Sequence, residues 1–340
     1  MNLDKLQKTL EEEPKYRFKQ AQESVFKNFI SNWDEATFLP LALRQKLNQE
    51  CPLEISAETL ISKKEDSVKA RITLKDNLLI ETVLMRHNLG LRDNRNTVCV
   101  SSQVGCPLAC EFCATGKMGF KRNLNAIEIV EQVIFFNRYL KKEGQRVTNV
   151  TFMGMGEPFL NYENVLEAVR ILNSKDGLNI GARNISISTA GVIEGIEKFS
   201  NEGLQVNLAI SLHAPNDELR SRLMPINKKY PLKKLFLAIN DYIKKTNRQV
   251  MFEYLLIKDI NDSNDCATEL AKIMKNPLYY VNLILYNSTG NFKPSTTERV
   301  NKFKEILKKN NIIFSQRFRF GQDIKAACGQ FAGKNNRPVD

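Results

Sequence analysis

The feature that most limits what this chain can fold into is a rhythm that begins near residue 97 and runs almost to the end. Short runs rich in β-branched and aromatic residues recur at 97–101, 147–153, 184–188, 205–211, 249–257, 280–286 and 312–320. Longer stretches with apolar residues at helical spacing separate most of them, at 125–142, 161–174, 231–246, 263–274 and 296–309. A strand then a helix, repeated about six times, calls for a parallel sheet, because parallel neighbours need a crossover that returns the chain to the same end. Such a sheet is expected to curl into a closed or partly closed barrel, whose chemistry gathers on loops at the C-terminal strand ends. The fold class is therefore α/β, a partial barrel of six βα units.

The first third reads differently. Residues 1–62 carry helical patterning at 4–13 and 21–32, punctuated by Pro40 and Pro52, and are expected to form a small helical domain. Residues 63–96 read as a hairpin and linker: alternation over 67–85 is broken by the turn formers Lys75, Asp76 and Asn77, and 86–96 is an Asn-, Arg- and Gly-rich loop. The barrel domain then covers 97–340. The charged N-terminus lacks the apolar centre of a signal peptide, and no apolar run approaches the ~18 residues that span a bilayer, so a cytosolic protein with no membrane partner is expected. Fifty Lys and Arg against 38 Asp and Glu give a net charge of +12, which favours a polyanionic partner, nucleic acid ahead of acidic lipid.

Seven cysteines in a reducing compartment do not form a disulfide framework, and their distribution is uneven: Cys99, Cys106, Cys110 and Cys113 fall within fifteen residues. Thiolates spaced as Cys106, Cys110 and Cys113 on one loop can hold three irons of a 4Fe-4S cubane, since soft sulfur ligands select iron–sulfur or zinc. A closed zinc site needs a fourth Cys or His nearby, and the two histidines, His87 and His213, form no ligand pair. The iron left without a protein ligand could chelate the amino and carboxylate groups of S-adenosylmethionine (SAM), placing its sulfonium for cleavage by one electron. Cys51 and Cys266 read as small buried hydrophobes.

Four motifs extend this picture: Cys-Val-Ser-Ser-Gln-Val-Gly-Cys at 99–106, Gly-Met-Gly-Glu-Pro at 154–158, Ser-Leu-His-Ala-Pro at 211–215 and Ala-Cys-Gly-Gln at 327–330. In this order, from about residue 81 to the end, they resemble the RlmN and Cfr family of radical SAM RNA methyltransferases. The leading helical region resembles that family's accessory RNA-binding domain in length and position only. The resemblance implies a 4Fe-4S cluster on Cys106, Cys110 and Cys113. It implies SAM contacts at Gly156 and Glu157, where glycine at a strand end lets backbone approach a ligand, and at Ser188, Ser211, Leu212, His213 and Asn287. Asn287 departs from the family pattern, being followed by Ser288 instead of Pro.

The same resemblance implies roles for the outlying cysteines. Cys328 would take a methyl group from one SAM by displacement, and a radical from a second SAM would remove hydrogen from that methyl so that it joins the adenine ring. Cys99 would help remove the ring proton and resolve the adduct, leaving a Cys99–Cys328 disulfide to be reduced before the next turnover. Glu81 matches a family proton acceptor, although the stretch from it to Cys99 is longer here than in many relatives. Two SAM are used per turnover, with an electron donor such as flavodoxin or ferredoxin. The implied product is 2-methyladenosine in 23S rRNA near the peptidyl-transferase centre, and in tRNA beside the anticodon.

Two alternatives stand beside this. Cfr-like methylation at carbon 8 is disfavoured by Val104 and Pro158, positions where Cfr relatives tend to carry Cys and Ala. An RNA-binding protein with a structural metal site would need neither the 154–158 turn nor Cys328. The run 227–248 holds seven Lys and Arg against Asp241, and reads equally as a phosphate-contacting face or a solvated helix. A stacked adenine carbon is unreachable, so the base must be flipped into the barrel mouth.

Overall fold

The computed structural model describes residues 3–88, 94–290 and 292–331. Helices α1 (Leu3–Thr9), α2 (Lys15–Phe26) and α3 (Leu41–Glu50) form the leading unit. Its core includes Trp33, fully buried, whose indole N–H donates to the Cys51 carbonyl at 2.8 Å. Four strands follow, β1 (Ala57–Ile61), β2 (Ser67–Thr73), β3 (Leu79–Asn88) and β4 (Asn94–Cys99), each antiparallel to the one before.

The chain then makes a small antiparallel ribbon from β5 (Gln103–Gly105) and β6 (Phe120–Asn123), with the short helix α4 (Ala114–Lys117) between them. After it come α5 (Ala126–Lys141), β7 (Asn149–Phe152), α6 (Tyr162–Asn173), β8 (Ile185–Thr189), α7 (Ile193–Phe199) and β9 (Asn207–Ser211). Helices α8 (Asp217–Leu223) and α9 (Leu232–Thr246) lead to β10 (Val250–Leu256), then α10 (Asn264–Ile273), β11 (Tyr279–Leu285), α11 (Thr297–Lys309) and β12 (Phe314–Gln316). From β4 through β7 to β12, seven strands run parallel in one sheet, with helical crossovers making six βα units. This is the expected partial barrel.

Three expectations need correction. Residues 57–61, placed in the helical domain, form the edge strand β1, an Ala-Glu-Thr-Leu-Ile run too exposed to show an apolar face. The 86–96 segment is not a loop throughout, since β3 continues to Asn88 and β4 starts at Asn94; 89–93 lies outside the described residues. The hairpin is no linker either. Val83 on β3 pairs with Cys99 on β4, so β1–β3 extend the barrel's own sheet.

The central parallel strands are buried on both faces, as a sheet covered by helices outside and side chains inside must be, and on β10 this includes Glu253 and Leu255 on one face. On β10, Val250, Phe252 and Tyr254 are all fully buried, and Phe252 stacks on Phe236 of α9 at 5.6 Å and meets Tyr279 of β11 at 4.7 Å. Helix α5 starts where the sequence supplies a cap: the Asn125 side chain accepts from the Glu128 amide at 2.9 Å and Glu128 answers on the Asn125 amide at 2.9 Å. The same helix carries the leading unit. Arg138 donates to the carbonyls of Leu53 at 2.8 Å and Ile30 at 2.6 Å, and Lys141 to that of Asn28 at 2.8 Å.

Candidate active site

The C-terminal ends of β7, β8, β9, β10 and β11 open into one cavity. Its lining includes Cys106, Cys110 and Cys113 on the loop after β5, then Gly154, Gly156 and Glu157 after β7, Ser188 on β8, Ser211 on β9, His213 and Glu253. Arg317, just past β12, and Cys328 complete the far side. A smaller pocket adjoins it, lined by Cys99, Asn287, Phe318, Arg319 and Phe320 among others. Arg317, Cys328, Phe331 and Ile284 line both spaces. Cys328 thus stands in the wall between the three-cysteine loop and Cys99.

Backbone geometry explains the glycines. Gly156 has φ +101°, and a Cβ there would lie 2.6 Å from the Gln103 side chain; one on Gly154 would lie 2.7 Å from the Val100 carbonyl oxygen. Between them Met155 is locked in place, its amide donating to Ser101 Oγ at 2.9 Å and its carbonyl accepting from the Ser102 amide at 2.8 Å. Glu157 joins two strand ends. One carboxylate oxygen accepts from the Phe159 amide at 3.0 Å and the other from the Ala190 amide at 2.7 Å. Burial pushes this carboxyl up to about 6, against the hydrogen bonds that favour its charge.

Ser188 and Ser211 face each other with hydroxyls 3.3 Å apart. His213 adopts φ +58°, a left-handed conformation that histidine enters more readily than most residues. Its Nδ1 accepts from the Leu255 amide at 3.2 Å, its carbonyl accepts from Asn261 at 2.7 Å, and Phe112 meets the ring edge-on at 5.0 Å. Burial, then the Arg220 charge, holds the imidazole down at about 3, so the ring is neutral with its proton on Nε2.

Sequence reasoning missed Arg220. This fully buried guanidinium on α8 donates to the carbonyls of Ala190 (2.6 Å), Ser211 (3.2 Å) and Leu212 (3.2 Å) and to Asn227 Oδ1 at 2.8 Å, fixing the ends of β8 and β9 together. One arginine among several in a helical segment gave no signal of this. Arg317 was also missed, although its position at the end of the last strand is where catalytic residues of such barrels collect. It donates to Met153 Sδ at 3.1 Å and lies 3.9 Å from Glu253. Its guanidinium is held above the ordinary value, first by Cys328, then by Glu253 and Cys99 against the opposing effect of burial.

Not every expected residue reaches the cavity. Leu212 is fully buried and lines neither space, and its carbonyl serves Arg220. Asn287 faces the smaller pocket only. Glu81 lines neither, being paired with Lys69 at 2.8 Å in the protein interior. Cys99 is buried on β4, and burial followed by the nearness of Cys328 pushes its thiol up to about 12. All seven cysteines are free, so the expected Cys99–Cys328 disulfide is not formed in this structure. The basic run 227–248 is divided by the fold. Because α9 runs back against the parallel strands, Lys228, Lys229, Lys233 and Lys234 lie toward the mouth, and Lys244, Lys245 and Arg248 toward the opposite end.

The cysteine loop fits a cubane better than a single ion. Among the described residues, no three His, Cys, Asp or Glu side chains converge on one metal position, as zinc would require. A cubane instead asks three thiolates to hold three separate irons. Cys106 and Cys110 are pushed up by burial, Cys106 to about 12, and the three cysteines line one cavity together with the apolar Leu108, Phe112 and Met224.

Comparison with known proteins agrees with this geometry. Residues 100–268 match the model of the radical SAM superfamily. A protein of Dictyoglomus thermophilum is 46% identical over 94% of this chain and 90% of its own length, and one of Spiroplasma citri 44% identical over 94% and 92%; both are described as "probable dual-specificity RNA methyltransferase RlmN". The crystal structure of a radical SAM methyltransferase from Sphaerobacter thermophilus, 40% identical, superposes with a TM-score of 0.91 over 98% of both chains. A 4Fe-4S cluster and SAM are accordingly the cofactors of this fold and family. The chain belongs to the RlmN family of radical SAM methyltransferases.

Proposed function

We propose that this enzyme methylates carbon 2 of an adenosine in RNA, with Cys328 as the methyl carrier and Cys99 as the resolving thiol. One observation carries the reading: Cys328 lines both the cavity that holds the three-cysteine loop and the pocket that holds Cys99. A carrier must collect its methyl at one side and hand it on at the other, and this residue has access to both.

Cys106, Cys110 and Cys113 would hold the cluster, which when bound supplies the electron that cleaves SAM. Cys328 sulfur forms a bond to the methyl of a first SAM as the sulfonium–methyl bond breaks, releasing S-adenosylhomocysteine. Arg317 places a fixed cation beside that sulfur and beside Cys99. Gly156, with no Cβ, and Ser188 and Ser211, with free hydroxyl capacity, are suited to a polar methionyl group, and His213 presents an Nε2–H donor. Once the base is joined to the carrier through the methylene, the Cys99 thiolate attacks Cys328 sulfur. The Cys328 sulfur–methylene bond breaks with its electron pair passing to the carbon on the base, and a proton taken up there leaves the methyl group. The disulfide so formed must be reduced by an outside thiol or electron donor.

RNA suits the surroundings. Phe318 is 67% exposed at the rim of the Cys99 pocket, packs against Phe320 at 4.9 Å, and has Arg319 beside it. An exposed ring next to arginine is a platform for an unstacked base and its phosphate. The proposed substrates are 23S rRNA near the peptidyl-transferase centre and tRNA beside the anticodon, with flavodoxin or ferredoxin as reductant in the cytoplasm. Among the described residues no helix is long and apolar enough to cross a membrane.

The test is chemical. RNA incubated with reconstituted enzyme, SAM and reductant is digested to nucleosides and chromatographed against both isomers. The product co-elutes with 2-methyladenosine; co-elution with 8-methyladenosine alone would move the enzyme to the Cfr group, and the absence of either, in protein that cleaves SAM, would refute RNA methylation.

A further inference from the structure

Lys69 on β2 and Glu81 on β3 meet inside the protein at 2.8 Å, each side chain only 2% exposed. In the antiparallel ladder Lys69 stands opposite Val83 and Glu81 opposite Arg71, so the pair is a diagonal one on a single face. Taking both charges out of water is costly, and removing one partner alone leaves an uncompensated buried charge, so the pair's further contacts matter. Those contacts are visible at the lysine. The Lys69 ammonium also donates to the Lys325 carbonyl at 3.1 Å and lies 5.7 Å from the centre of the Phe331 ring.

Lys325 and Phe331 flank Cys328 at three residues on either side. The same segment is tied from its other face to the cysteine loop, where the Ala114 amide donates to the Gly329 carbonyl at 2.8 Å and Thr115 Oγ1 to the Phe331 carbonyl at 2.7 Å. Glu81 itself lines neither cavity, while its own backbone braces the 154–158 turn, its carbonyl accepting from Ser101 Oγ at 2.6 Å. We propose that Glu81 is a positioning residue: it anchors the Lys69 ammonium, and that ammonium seats the segment carrying Cys328 between the sheet and the cysteine loop. In this arrangement Glu81 takes no proton from the substrate.

This inference rests on Cys328 being the methyl carrier, and its test separates the two. Three variants of the reconstituted holoenzyme are compared with the parent: Glu81→Gln, Lys69→Met, and the double Lys69→Met/Glu81→Leu, which removes both members of the buried pair together if a single change proves unstable. Iron content, amide exchange over 322–331 and the fraction of S-methyl-Cys328 after incubation with SAM are measured. The single variants keep their iron, exchange that segment on the order of a hundredfold faster and lose S-methylation in proportion. The double variant regains thermal stability, yet 322–331 still exchanges fast because the ammonium is gone.

A Glu81→Gln enzyme with parental exchange and full S-methyl-Cys328, stalled instead as a covalent protein–RNA adduct, would overturn the proposal in favour of a proton acceptor. Parental protection of 322–331 in the double variant would overturn it as well. If the parent itself never acquires S-methyl-Cys328, the carrier assignment fails, and the exchange data alone still decide whether the clasp exists.

Discussion

His213 shows how much of this site is set by burial. Its neutral ring accepts from the Leu255 amide, and its proton affinity is depressed to about 3 by burial and by Arg220. An unfolded histidine binds its proton near 6.5, so between those values the unfolded chain holds more protons and stability falls as pH drops. At pH 5 the loss is about 2 kcal/mol for this group. Glu157, raised to about 6 by burial, works in the opposite direction between 4.5 and 6. The prediction is therefore a difference: between pH 7 and pH 5, His213→Asn, which tolerates the left-handed backbone, loses less denaturant stability than the parent by about that amount. Equal losses would show that the ring is not buried neutral. Cysteines and glycines were legible in the sequence because their spacing or chirality constrains them. Arg220 and Lys69 were not, since a buried cation looks like a surface one until the fold surrounds it.

Helix α5 is the element on which the two halves of the molecule depend. Arg138 reaches from it to two carbonyls of the leading unit, and burial lowers the guanidinium to about 10. Arg138→Ala should therefore cost about 2–4 kcal/mol, because two charge-assisted bonds go and two carbonyls lose their partner. The cost should appear as raised amide exchange confined to residues 28–53, with the barrel unaffected; protection unchanged there would mean that apolar packing alone holds the unit. At this scale the sequence was most readable in the barrel, where every β-branched run produced a strand, although the run at 312–320 gave only the three residues of β12. It was least readable where elements are short or exposed. Helices α7 and α8 are seven residues each, too brief to show a period, and edge strand β1 lacks an apolar face.

Across the whole molecule, the barrel sets one end for chemistry, and the C-terminal segment crosses that end to deliver Cys328. No periodicity announces such a crossing: it depends on Lys69, Thr115 and Ala114, far from it in sequence. The rim predicts how RNA is met. Phe318→Ala should raise the RNA concentration needed for half-maximal rate about tenfold, the equivalent of one lost base stack, while Phe318→Trp restores it and S-methylation of Cys328 is unchanged. An Ala variant with parental RNA dependence would place the base elsewhere.

The proposed passage of the methyl through Cys328 and its release by Cys99 are tested by peptide mass spectrometry of Cys99→Ala after incubation with SAM, reductant and RNA. The predicted result is an adenosine joined through one methylene to Cys328, trapped for want of a resolving thiol and absent when Cys328 is also replaced. A Cys99→Ala enzyme that turns over normally, or one whose adduct sits on any residue other than Cys328, would contradict it.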